Sequence, residues 1–156
     1  MSETLDDARP PTPVGHDECW LPRSRRSPGL ARGLLRELLA KVQGGERYCD
    51  VGELLLTELV TNAVLHAKVP GRLIWVGLKA DETELRIDVH DASGELAPNP
   101  RLDSSPDDES GRGLLLVEAL STTWGVSSRV GGIGKCVWVT VAAKDAGVGV
   151  AGAGEG

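Results

Sequence analysis

The sequence predicts an α/β (α+β) domain, and three observations carry that expectation. Two stretches, 27–44 and 50–67, hold apolar residues at helical spacing. Two more, 72–79 and 84–91, have strand character and are joined by the short acidic turn Asp81-Glu82. The final third holds two further strand-like runs, 123–129 and 135–142, joined by Gly131-Gly132. A chain of 156 residues suits one such domain with a sizeable core.

Met1 to about Gly15 carries Pro10, Pro11 and Pro13 among acidic residues and is expected to be a flexible arm (1–15). The folded domain is expected over 16–142, followed by a patternless Ala/Gly/Val-rich tail over 143–156. Cys19-Trp20-Leu21 reads as a short edge strand before Pro22. The first helix is signalled by Ser27 as N-cap and Pro28 at the first helical position. Leu30, Leu34, Leu35, Leu38, Leu39 and Val42 then form one apolar face, which Gly44-Gly45 ends. Arg23, Arg25, Arg26, Arg32 and Arg36 lie on the lead-in and outer face, either as a docking surface for an acidic protein or as an ordinary solvated face.

The second helix opens at Asp50, with Glu53 three residues on in capping-box spacing. Its core is Glu58-Leu59-Val60-Thr61-Asn62-Ala63-Val64-Leu65-His66. Glu58, Asn62 and His66 stand at i, i+4 and i+8, one polar line beside the apolar stripe of Leu55, Leu56, Leu59 and Ala63. The Asn62 amide oxygen is a hard neutral ligand of the kind Mg²⁺ accepts while taking other oxygens from water and phosphate. Glu58 could hold one of those waters or accept a proton from an attacking hydroxyl.

Arg72 to Lys79 is almost continuously apolar, as in a central strand buried on both sides. The next strand alternates, with Leu85, Ile87 and Val89 inward and Glu84, Arg86, Asp88 and His90 outward. Period-two geometry then puts Asp91 on the core face at the strand's end. A carboxylate there requires donors, from an N-cap, an arginine or a ligand, and an adenine amino group is one such ligand donor.

Residues 92–110 lack periodicity and are rich in proline and acidic residues. A loop of that length in a compact domain is usually functional, often a lid, here over about 94–112. It closes on Gly111-Arg112-Gly113 before the apolar run Leu114 to Leu120. Glycines opening a helix admit phosphate to exposed N–H groups, or serve flexibility alone. Arg112 could bond phosphate or face water. Trp124 and Trp138 read as core residues.

The balance of 17 basic and 23 acidic residues, net −6, argues against direct nucleic-acid binding, and with no Phe and one Tyr a base-stacking platform is not expected. Neither a membrane span nor a signal peptide is recognisable, so a cytoplasmic protein is expected. Cys19, Cys49 and Cys136 form no Cys-x-x-Cys or Cys/His pairing, so neither disulfide nor zinc is expected.

In order and spacing these segments resemble the GHKL ATP-binding domains of histidine kinases, gyrase-type topoisomerases, Hsp90 and MutL. Glu58 to His66 looks like the N box, Asp91-Ala92-Ser93-Gly94 the first glycine box, and Gly111-Arg112-Gly113-Leu114 the second. With Pro28, Ala31 and Arg32 leading, ELVTNAVLHA, and GRGLLLVEAL followed by Trp124-Gly125, roughly residues 20 to 142 resemble the stand-alone anti-sigma-factor serine kinases of the SpoIIAB/RsbW type, in their short actinobacterial versions.

The resemblance implies a two-layer sandwich, a mixed, mainly antiparallel sheet covered on one face by helices. It implies ATP and Mg²⁺ as cofactors, with Asn62 coordinating the metal and Asp91 accepting a hydrogen bond from the adenine amino group. Gly94, Gly111, Arg112, Gly113 and Leu114 would border the nucleotide, His66 would line the pocket, and Glu58 would be the catalytic base toward a serine hydroxyl. The implied partners are a sigma factor and an anti-anti-sigma antagonist of STAS type, contacted through Arg32, with no direct nucleic acid and no membrane; a homodimer is also implied. Ser93, Leu115 and Cys136 stand where the wider family has glycine, glycine and a threonine that could bond the nucleotide or order the aspartate. The alternative is therefore a nucleotide-binding interaction module of the same fold without kinase activity.

Overall fold

A computed structural model describes residues 15–66, 73–91, 109–128 and 135–146. In chain order the elements are β1 (Gly15–Leu21), α1 (Ser27–Ala40), a 3₁₀ turn (Gly45–Tyr48), α2 (Cys49–His66), β2 (Ile74–Ala80), β3 (Glu84–Asp91), α3 (Glu109–Leu120), β4 (Thr123–Ser128) and β5 (Lys135–Ala142). The strands form one sheet in the order β1-β2-β3-β5-β4. Every pairing among the described strands is antiparallel, so the sheet is not mixed there. The α+β sandwich expected from the sequence is what forms.

Alternation decides which face is buried. In β3, Leu85, Ile87 and Val89 point to the helical layer, and the register sets Ile87 between Leu78 of β2 and Val139 of β5. The same face gathers Ile74, Val76, Ala80 and Val141, with Leu35, Leu38, Leu55, Leu56, Leu59 and Val60 of the helices above them. Helix α1 packs on β1 and β2, α2 on β2 and β3, and α3 lies against α2 and β4.

Four local expectations change. Strand β2 is fully buried on its core face alone, with Gly77 buried, Trp75 half-buried and Lys79 exposed on the other. The Trp75 ring lies over Gly77, where a Cβ would stand 2.3 Å from Trp75 Cη2. Trp138 is likewise outside the core, since the register pairs it with the outward Asp88 and with Gly125, while Trp124 packs against the core. Ser27 is the first residue of α1 and not its cap, because its buried hydroxyl turns back to donate to Pro22 O. The Asp50/Glu53 capping box does not form. Helix α2 continues from the 3₁₀ turn, and both Glu53 oxygens accept from the Arg36 guanidinium at 2.9 and 3.0 Å, a planar fork matched to a carboxylate.

The chain leaves α1 through Gly44, whose φ of 75° suits glycine alone without strain. The following turn buries Tyr48, whose hydroxyl donates to Asp81 O at 2.8 Å and so ties the start of α2 to the β2–β3 turn. Asp81 builds that turn, its Oδ1 accepting from the N–H groups of Thr83 and Glu84 and from the Thr83 hydroxyl.

Burial pushes the Tyr48 phenol up to about 12, with Arg47 opposing and Asp81 and Glu84 adding to the rise. Because the chain has one tyrosine, its absorbance titration reports this residue alone. The folded protein is expected to ionise near 12, and the urea-unfolded chain near about 10. A raised folded pKa means the stabilisation is complete below about pH 10 and is lost as pH rises toward the folded value. A folded midpoint at the unfolded value would show the phenol to be hydrated.

Candidate functional site

Helix α2 presents its polar line beside a buried stripe. Leu55, Leu56, Leu59 and Ala63 are buried, and Glu58 and Asn62, one turn apart, are half-buried at their edge. Asp91 closes β3 on the core face at 5% exposure, as the alternation of that strand requires. Asp91 is not without an interaction partner, consistent with the cost of burying a lone charge.

Two contacts fix how α2 and β3 lie. Tyr48 meets Asp81, and four residues on, a Cβ at Gly52 would stand 2.9 Å from Leu85 Cδ2, so helix and strand run in the same direction from a common end. From Leu85 to Asp91 the strand climbs about 20 Å. The helix needs about thirteen residues for the same rise, which carries it from Gly52 to the turn between Asn62 and His66. By this rise that turn comes about level with Asp91 at one end of the sheet. His66 ends α2; its side chain, like that of Arg112, lies outside the described residues.

Helix α3 packs on α2. It starts at Glu109, two residues before Gly111, so Gly111, Arg112 and Gly113 lie within its opening turns and not in a loop ahead of it. The N–H groups of the first four helical residues, Gly111 and Arg112 among them, have no intrahelical acceptor and can meet an anion. Leu114 continues the helix. Gly94 and the rest of the expected lid up to residue 108 lie outside the described residues.

Arg32 is half-buried and faces α2, its Nη1 donating to Thr57 Oγ1 at 2.9 Å, while the Thr57 hydroxyl donates to Glu53 O at 2.7 Å. With the Arg36–Glu53 pair, it makes part of the arginine cluster a link between α1 and α2, next to Glu58. Arg25 and Arg26 are exposed. The register sets Lys135 opposite Asp91 and turns Cys136 to the outer face, opposite His90.

A match to the histidine kinase-like ATPase domain spans residues 22–141 and so takes in α1, α2, β2, β3, α3, β4 and all but the last residue of β5. The chain belongs to the histidine kinase-like ATPase domain family. A comparison with curated proteins found no match. For this ATPase-family domain, membership supports ATP binding, and the arrangement of Asp91, Asn62 and the start of α3 is chemically suited to it. A buried acceptor meets an amino group, a neutral hard oxygen suits a cation, and open N–H groups suit phosphate. Among the described residues no helix is long and apolar enough to cross a membrane.

Proposed function

We propose that this domain is a Mg-ATP-dependent anti-sigma factor and protein serine kinase of the cytoplasm, which sequesters a sigma factor and phosphorylates a serine of a STAS-type antagonist. The observation that carries this reading is the polar line of Glu58 and Asn62 on α2, which runs toward the turn level with the buried Asp91. Asp91 accepts a hydrogen bond from the adenine amino group, which selects the base. Asn62 would hold Mg²⁺, whose charge neutralises the phosphates during transfer. Glu58, half-buried one turn away, is placed to accept the proton of a serine hydroxyl as its oxygen attacks the terminal phosphorus. Arg32, anchored on Thr57, sets the α1 side of the same region for partner contact, and the active form is a homodimer.

Glu58→Gln separates binding from chemistry. The variant is expected to bind Mg-ATP within about threefold of the parent and to lose phosphoryl transfer to a candidate antagonist by about 10²–10⁴-fold. Unchanged transfer would remove Glu58 as the base. Nucleotide binding by the parent with no transfer to any antagonist would leave the alternative, an ATP-binding interaction module. Leu115 favours that alternative, being 66% exposed on α3 at a position where the wider family resembled by this chain has glycine.

A further inference from the structure

The outer face of the sheet carries a second cluster of chemically able side chains, away from the helical layer and unused by the nucleotide site. Asp88 and His90 are two residues apart on β3 and both point outward. Cys136 of β5 stands directly opposite His90. One ligand-capable atom from each, a carboxylate oxygen, an imidazole nitrogen and Sγ, lies within 4.8 Å of the others. Cys136 is buried, and the other two are half-buried.

We propose that Asp88, His90 and Cys136 form a zinc-binding site with three protein ligands and one open position. Thiolate, imidazole and carboxylate together suit Zn²⁺ over Mg²⁺ or Ca²⁺, which take oxygen ligands. Bond lengths of about 2.0–2.3 Å place the ligand atoms of a tetrahedral site about 3.3–3.7 Å apart. Cys136 Sγ and Asp88 Oδ2 are already 3.8 Å apart, joined by a bond the thiol donates. Only a small closure of the three side chains is needed. On binding, the Cys136 thiol proton leaves to solvent, and the S–H···O contact is replaced by thiolate and carboxylate on one cation.

The surroundings hold the ligands in orientation. Arg86 grips Asp88 through Nε to Oδ1 at 2.8 Å and Nη2 to Oδ2 at 3.1 Å. The first bond can stay while Oδ2 turns to the metal, the usual role of a supporting partner. The guanidinium lies 4.8 Å over the Trp138 ring. The Trp75 ring meets His90 edge-on at 4.7 Å, which limits rotation of the imidazole. Two indoles thus wall the cluster, and the strands that carry it, β3 and β5, are paired inside the sheet. Cys19 and Cys49 are elsewhere, and burial pushes both of those thiols up.

The test is a titration of the whole reduced protein with Co²⁺, followed by displacement with Zn²⁺. Saturation at one equivalent is expected, with a thiolate-to-cobalt charge-transfer band and the intense visible bands of a four-coordinate ion. Affinity should rise with pH as the thiol proton is released. Cys136→Ser should abolish the charge-transfer band, and His90→Gln should weaken Zn²⁺ binding at least tenfold. The double variant Cys19→Ser/Cys49→Ser should bind like the parent. Should Cys136→Ser fail to fold, His90→Gln and Asp88→Asn give the same reading from half-buried positions. A charge-transfer band that survives Cys136→Ser, no saturable binding at one equivalent, or His90→Gln and Asp88→Asn both binding like the parent would each overturn the site. Mg-ATP binding is measured in parallel on Cys136→Ser, so that failure of the zinc site and failure of the nucleotide site are read separately.

Discussion

Asp91→Asn should weaken ATP binding by about ten- to a hundredfold, the loss expected when a charged, buried acceptor is replaced by a neutral amide. Asp91 ends β3 on the core face at 5% exposure, and period-two geometry leaves it nowhere else to point. An asparagine of nearly the same shape keeps one acceptor oxygen but brings an amino group that opposes the adenine amine. Discrimination between ATP and GTP should fall too, because the guanine oxygen that repels a carboxylate can accept a hydrogen bond from the amide N–H. Calorimetric titration of both nucleotides checks this, with urea unfolding alongside. Equal ATP affinity and unchanged discrimination in a folded variant would remove Asp91 from the nucleotide site. A merely structural role would lower stability without moving the ATP to GTP ratio.

Ile87→Ala should cost about 2–5 kcal/mol of folding stability, the range for truncating a fully enclosed aliphatic side chain. Ile87 is wholly buried at the middle of the central strand, with Leu78 and Val139 opposite it in register. Strand β3 pairs on both sides and lies under α2, so little can collapse into the space left behind. Against a total stability of about 5–15 kcal/mol, such a loss removes a large share. Denaturant unfolding should show a lower midpoint with an unchanged slope. A change below about 1 kcal/mol would mean that the neighbours close the cavity.

Much of the candidate site was legible in the residues. The line of Glu58 and Asn62 follows from helical spacing, and the burial of Asp91 follows from strict alternation in β3; both patterns are local and need no partner to be read. Periodicity also placed α2 and most strands within a residue or two, with β1 extending further towards the N-terminus than read. It was silent where the deciding neighbour is remote. Ser27 and Glu53 looked like caps because the sequence shows short-range acceptors and not Pro22 O folding back or Arg36 one helix away. Trp138 looked like core because a tryptophan in an apolar strand usually is, and only the β3–β5 register shows it opposite Asp88.

By itself, then, the sequence determined the element types, the core face of β3, the order of the nucleotide motifs and membership of a family. The tertiary structure alone decided that the Asn62–His66 turn comes level with Asp91, through the shared direction of α2 and β3. It alone set the start of α3 ahead of Gly111, and it alone brought Cys136 beside His90 and Asp88. Forty-eight residues separate Cys136 from Asp88, and no spacing rule spans such a gap. Strand pairing does, because the pleat puts directly opposed residues on the same face and a few ångströms apart.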